Sequence, residues 1–148
     1  CCASSTWVKK MLDPRPFLTA HAVDDALRTA FNALVADDWL EAFRAHPRIG
    51  GAKPEADAMT TATSKSWSSD EQRGVSAADD AIQARLATLN DAYFDKHGFI
   101  FIVKATGKSA SEMLAILEER LNNDRPVEID NAAVEQRKIT ELRLQRLC

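Results

Sequence analysis

Only one stretch of the chain, Phe99-Ile100-Phe101-Ile102-Val103, reads as a β-strand, and no second run exists to pair with it. A lone strand leaves its backbone N–H and C=O groups without a ladder, which argues against a regular sheet. Elsewhere apolar residues recur at spacings of three and four, the period of a helix with one buried face. The 148 residues suit one hydrophobic core and are too few for two domains. The expected fold is therefore all-α: a single-domain multi-helix bundle over residues 1–148, with residues 99–103 as a short extended buried connector.

Capping residues and breakers divide the chain. Ser4-Ser5-Thr6 offer capping hydroxyls before a short helix through Trp7-Val8-Lys9-Lys10-Met11-Leu12, which ends near Asp13 because Pro14 and Pro16 forbid continuation. A second helix opens at Thr19 and carries Val23, Leu27, Ala30, Phe31 and Leu34. A third, with Trp39, Leu40 and Phe43, runs into His46-Pro47; a residue before proline avoids α geometry, so His46 is placed at the helix exit. Residues 50–69, rich in Gly, Lys, Pro, Thr and Ser, read as a long loop with one weak helical turn near Glu55–Met59. A long helix then starts at Ser68-Ser69-Asp70-Glu71, carries Ile82, Leu86, Leu89 and Tyr93, and closes at Gly98. Ser109-Ala110-Ser111-Glu112 has the capping-box spacing ahead of Met113, Leu114, Leu117 and Leu121. Asp124-Arg125-Pro126 ends that helix, and a final one runs from Val127 with Val134, Ile139, Leu142 and Leu147 as its apolar set.

Charge narrows the function classes. Nineteen Lys and Arg against 22 Asp and Glu give a net charge of −3, which offers no footprint for a phosphate backbone, so no nucleic-acid partner is expected. No apolar run reaches the 18 or so residues that span a bilayer, so no membrane partner is expected either. Three cysteines at the chain ends, Cys1, Cys2 and Cys148, lack C-x-x-C spacing and suit a reducing compartment, consistent with a cytoplasmic protein.

Two clusters can carry chemistry. His46-Pro47-Arg48-Ile49-Gly50-Gly51 puts a side chain that titrates near neutral pH on a restrained loop. His46 is either a general acid–base or a cap on the last carbonyls of its helix, and spacing does not choose. In Trp67-Ser68-Ser69-Asp70-Glu71-Gln72, Ser68 and Glu71 fit a capping box, yet a capped helix start is also a rigid mount for a carboxylate facing a site. His21 and His97 are weaker candidates; the second reads as a cap at a helix C-terminus. The three histidines lack H-x-x-x-H spacing, so no metal is expected, and a metal-dependent hydrolase is the weakest reading. Gly107-Lys108-Ser109 lacks the rest of a phosphate-binding loop. The arginines of the last helix read as a solvated face unless one turns inward.

Taken together, His46-Pro47-Arg48-Ile49-Gly50, Ser68-x-x-Glu71-Gln72 and Phe99-Ile100-Phe101-Ile102-Val103-Lys104-Ala105 with Gly107-Lys108 resemble the 2-oxo-4-hydroxy-4-carboxy-5-ureidoimidazoline (OHCU) decarboxylases of urate degradation. The resemblance runs from Trp7-Val8 to Ile139-Thr140-Glu141-Leu142-Arg143-Leu144, and a bacterial member is expected. It implies an all-helical lyase, a homodimer, acting on a small-molecule ureidoimidazoline carboxylate with no cofactor and yielding S-allantoin. By the same resemblance His46 and Glu71 are catalytic. Pro47, Ser68, Gln72, Phe101, Ile102, Val103 and Ala105 contact substrate, the 101–105 stretch through its backbone, and Arg143 closes the pocket. The chain departs from the pattern in a longer His46-to-Glu71 loop and in Lys104, where a small residue such as Cys is usual. It starts with Cys rather than Met and lacks the family's N-terminal helix, as a sequence beginning inside a longer chain would. A non-catalytic helical interaction module is the alternative; it predicts that His46, Glu71 and Gln72 lie scattered.

Overall fold

Six helices account for the regular structure of the computed structural model, which describes residues 1–49 and 80–147. They are α1 (Ser5–Leu12), α2 (Ala20–Asn32), α3 (Ala36–Arg44), α4 (Asp80–His97), α5 (Ala110–Arg120) and α6 (Arg125–Gln145). Among the described residues there is no strand, as the unpaired β-like run predicted. The expected weak turn near Glu55–Met59 and the helix start at Ser68–Glu71 lie outside those residues.

The caps act where the sequence placed them. Ser4 Oγ accepts the Trp7 amide at 3.2 Å, Thr19 Oγ1 the Ala22 amide at 3.1 Å, and Ser109 Oγ the Glu112 amide at 3.2 Å. Glu112 completes its box by accepting the Ser109 amide at 2.6 Å. Gly98 ends α4 with φ +77°, its amide donating to the Phe94 carbonyl at 2.8 Å, a left-handed turn that glycine adopts without strain.

The last helix departs from expectation at its start and on its face. It begins at Arg125, two residues before Val127, because proline fits the first turn, where its missing N–H would have no helical partner. Its buried residues are Glu128, Ile129, Ala132, Ala133, Gln136, Ile139, Thr140 and Arg143, whereas Val134 and Leu147 are exposed. Half of this buried stripe is polar; of the apolar set named from sequence Ile139 is buried, while Val134 and Leu147 lie off the buried face.

Two aromatic groups fill the core. Trp7, Phe31 and Trp39 join α1, α2 and α3, with Phe31 and Trp39 stacked at 5.8 Å, and the Arg137 guanidinium of α6 lies over both of their rings. Phe43, Tyr93, Phe99 and Phe101 join α3 to α4 and the connector. The connector is neither helix nor strand, and Phe99, Phe101, Ile102, Val103 and Ala105 are all buried. Below it, Glu128 of α6 accepts from Tyr93 at 2.5 Å, from Arg120 at 2.8 Å, and from Asn123 and Asn131 at 2.8 Å each. That full set of donors is what makes a wholly buried carboxylate tolerable.

Candidate active site

His46 is positioned from four directions. Its own amide closes the end of α3 by donating to the Phe43 carbonyl at 3.1 Å, so the backbone caps the helix and the ring is free to turn elsewhere. From α4, Asn90 Nδ2 donates to the Ile49 carbonyl at 3.0 Å, and Arg48 pairs with Asp91 while lying over the Phe94 ring. The exit segment 46–49 is thus fastened on both flanks.

From α6, Gln136 Oε1 meets His46 Nε2 at 2.6 Å, and Gln136 Nε2 donates to Thr140 Oγ1 at 3.1 Å. Arg143 stands on the same stripe, buried, with Nη1 donating to the Cys1 carbonyl at 3.4 Å. Gln136, Thr140 and Arg143 are spaced by four and three residues, which aligns them along one helix face. The chain ahead of α1 supplies the fourth direction: the Cys2 thiol reaches the Thr140 hydroxyl, and burial pushes that thiol up.

The electrostatics favour a neutral imidazole. Burial, and then the Arg143 guanidinium, push His46 down to about 4, and the Gln136 hydrogen bond opposes this. A histidine so placed is a base with its lone pair available at neutral pH, beside a fixed positive charge that suits a carboxylate.

The connector is pinned from two sides. Arg120 Nη1 donates to the Ile102 carbonyl at 2.5 Å, and Glu135 Oε2 accepts the Lys104 amide at 2.7 Å. Burial raises the Glu135 carboxyl, but the Lys104 amide and the Lys138 ammonium outweigh it and hold it below the usual range. With the side chains of Phe101, Ile102, Val103 and Ala105 packed into the core, this segment has mainly backbone to offer a ligand.

Of the residues named from sequence, His46, Pro47 and Arg143 lie at or beside this site, and Ser68, Glu71 and Gln72 lie outside the described residues. The scattering that an interaction module predicts therefore falls on positions of which two are not described. Arg143 is buried, so the solvated-face reading fails for it. His97 is no cap: its ring is buried against Tyr93 and Phe99, with neither nitrogen partnered among the described residues. His21 pairs with Asp25 at 3.2 Å on the exposed side of α2. Among the described residues no group of His, Cys, Asp or Glu is arranged to hold a metal ion, and no helix is long and apolar enough to cross a membrane. Sequence reading missed Gln136, Thr140, Glu135, Asn90 and Arg120. The one signal available for the first two was their i, i+4, i+7 alignment with Arg143.

Comparison with known proteins covers nearly the same span. The profile of the OHCU decarboxylase family matches residues 1–145. The uric acid degradation bifunctional protein TTL of Arabidopsis thaliana is 40% identical over 147 residues, 99% of this chain but 45% of that protein, so the chain spans less than half of this relative. The 2-oxo-4-hydroxy-4-carboxy-5-ureidoimidazoline decarboxylase of Amia calva is 30% identical over 131 residues, 88% of this chain and 73% of that one. Relatives occur in Arabidopsis thaliana, in Amia calva and in Bacillus subtilis alike, so the expected bacterial origin is not established. A crystal structure of an OHCU decarboxylase in the presence of (S)-allantoin superposes with a TM-score of 0.79 at 38% identity, covering 99% of this chain and 93% of that one. With the family profile matched over residues 1–145 and a solved structure of an OHCU decarboxylase sharing its fold, this chain belongs to the OHCU decarboxylase family.

Proposed function

We infer that this chain is an OHCU decarboxylase, a carboxy-lyase of urate degradation that acts on a small-molecule substrate and releases (S)-allantoin. The observation that carries the reading is His46 held by Gln136 on the same helix stripe as a buried Arg143, in a chain matched over nearly its whole length by the family.

The substrate's own structure explains why so few groups are needed. When the bond from the ring carbon to its carboxylate breaks, the electron pair moves into the adjacent ring C=N unit, so no borrowed electron sink is required. The ring nitrogen and the carbon between it and the ureido group each gain a proton, one of them supplied by the hydroxyl, which becomes the carbonyl. Delivery of the carbon's proton to one face sets the S configuration. In this reading His46 and Glu71 carry those protons, and Arg143 closes the pocket over the anionic substrate. Pro47, Ser68, Gln72 and the backbone of Phe101, Ile102, Val103 and Ala105 hold the ring. General acid–base help of this kind is worth roughly 10²–10⁴ in rate. A homodimer in the cytoplasm completes the proposal.

The test is a coupled assay in which urate oxidase and hydroxyisourate hydrolase generate the unstable substrate in place. Ultraviolet absorbance and allantoin circular dichroism are followed with and without the protein. Accelerated decay to the S enantiomer is the expected result. Unchanged decay to racemic allantoin with folded protein would remove the substrate and leave the interaction module as the better reading.

A further inference from the structure

Both ends of the Gln136 side-chain amide are committed, and the commitments settle where the proton on His46 sits. Thr140 Oγ1 donates to the Gln136 backbone carbonyl at 2.8 Å, one turn back along α6, a common bond for threonine in a helix. A hydroxyl has one proton to give. With it used on the carbonyl, Thr140 faces the Gln136 side chain as an acceptor, so the amide turns its NH2 toward Thr140 at 3.1 Å and its oxygen toward His46 at 2.6 Å. An amide oxygen accepts and cannot donate, so His46 Nε2 must carry the hydrogen. Gln136 and Thr140 are fully buried, which keeps water from either group, and the Cys2 thiol that also reaches Thr140 can give its S–H to the hydroxyl's second lone pair. A neutral imidazole has one N–H, and Nδ1 is left with the lone pair.

We propose that Gln136 is a positioning residue for the decarboxylation: oriented by Thr140, it fixes His46 as the Nε2–H tautomer and makes Nδ1 the atom that takes the substrate's hydroxyl proton. The step balances within the reaction. As CO2 leaves, its bonding pair forms a C=C bond to the neighbouring ring carbon and that carbon's C=N pair takes a proton from water at nitrogen; the enol O–H then gives its proton to Nδ1, and the imidazolium hands it to the ring carbon as the carbonyl forms. The role of Nδ1 rests on the decarboxylase reading, whereas the tautomer is a property of the free protein.

The test is long-range proton–nitrogen NMR on uniformly ¹⁵N-labelled protein at neutral pH, beside steady-state kinetics in the coupled assay. The chain has 3 histidines, so His21→Asn and His97→Phe assign the His46 ring by elimination. The expected result is a single His46 tautomer with Nε2 protonated and Nδ1 bare. Gln136→Met, close in size but unable to accept, should lose that single tautomer and lower kcat by at least about tenfold with KM within about threefold, since the loss is in the aim of the reacting atom. Gln136→Glu keeps an acceptor and should keep the Nε2–H form and recover most of that loss. A wild-type His46 protonated at Nδ1, the state a flipped Gln136 amide would impose, overturns the proposal. So does a folded Gln136→Met protein with unchanged tautomer and kcat. If Gln136→Met does not fold, the wild-type tautomer and the Gln136→Glu comparison still decide. Wild-type protein that leaves the decay of OHCU unaltered sinks the decarboxylase reading instead, whatever tautomer it holds.

Discussion

Glu135 and Gln136 are neighbours on α6 that grip different parts of the chain: Glu135 accepts the Lys104 amide at 2.7 Å, and Gln136 meets the His46 ring at 2.6 Å. One turn of one helix therefore sets the separation between the α3 exit and the connector. Glu135→Ala should leave the Lys104 N–H without a partner at a part-buried position and destabilise the fold by about 1–3 kcal/mol. Urea denaturation measures this, and a variant as stable as the parent would contradict it. The bonds hold the Glu135 carboxyl below its usual range, so its contribution is complete above the unfolded value and fades as pH falls through the lowered one.

His46 should titrate near pH 4, well below an ordinary histidine, because burial and Arg143 both oppose its charge. The sign for stability follows from proton counts. Between the ordinary value near 6.5 and about 4 the unfolded chain binds a proton that the folded chain refuses, so this contribution is whole above that window and is lost as pH falls through it. Arg143→Met should move the NMR titration of the His46 ring upward. A midpoint that stays put in the variant would mean that Arg143 does not act on the imidazole.

For turnover, His46→Asn should lower kcat by at least about a hundredfold, the lower end of general acid–base help, without unfolding the protein. Near-normal turnover would refute a catalytic His46. Glu71→Gln separates the two readings of that residue: lost activity at an unchanged melting temperature indicates proton transfer, while a lower melting temperature with retained activity indicates a helix cap.

Beneath the connector, Glu128→Ala should be among the most damaging single substitutions. It leaves the buried Arg120 guanidinium without its carboxylate partner at 2.8 Å, a loss of roughly 3–5 kcal/mol. Thermal and urea unfolding test it, and a loss below about 1 kcal/mol would mean that water reaches Arg120.

His97→Phe should hold or raise stability. The ring is 1% exposed, with both nitrogens unpartnered among the described residues, and burial lowers its proton affinity. Phenylalanine keeps the contacts with Tyr93 and Phe99 and removes the desolvation cost of two polar atoms, about 1–3 kcal/mol for an unsatisfied group. A marked fall in melting temperature would show that the imidazole has a partner it needs.

The helices were legible wherever local chemistry decides structure. Ser4, Thr19 and Ser109 announce their helices because a hydroxyl accepts an amide two or three residues on, and Gly98 announces an end because it turns left-handed at no steric cost. His46 was legible through Pro47, which forces the helix to release it. Gln136 was not, since a glutamine among Glu135, Arg137 and Lys138 looks like surface and becomes interior only when α3 and α6 meet. The same tertiary fact hid the face of α6: burial there is set by hydrogen-bond partners on other helices, so Val134 and Leu147 looked more interior than Thr140 and Arg143. Pro126 misled in the opposite sense, being a helix breaker that here opens one.

The grip on Lys104 is made through its main chain: Glu135 takes the amide, and Lys108 Nζ donates to its carbonyl at 2.9 Å. Main-chain clamps are indifferent to the side chain they hold. A change of side chain at Lys104 can therefore alter the local charge beside the connector while the backbone's path stays the same.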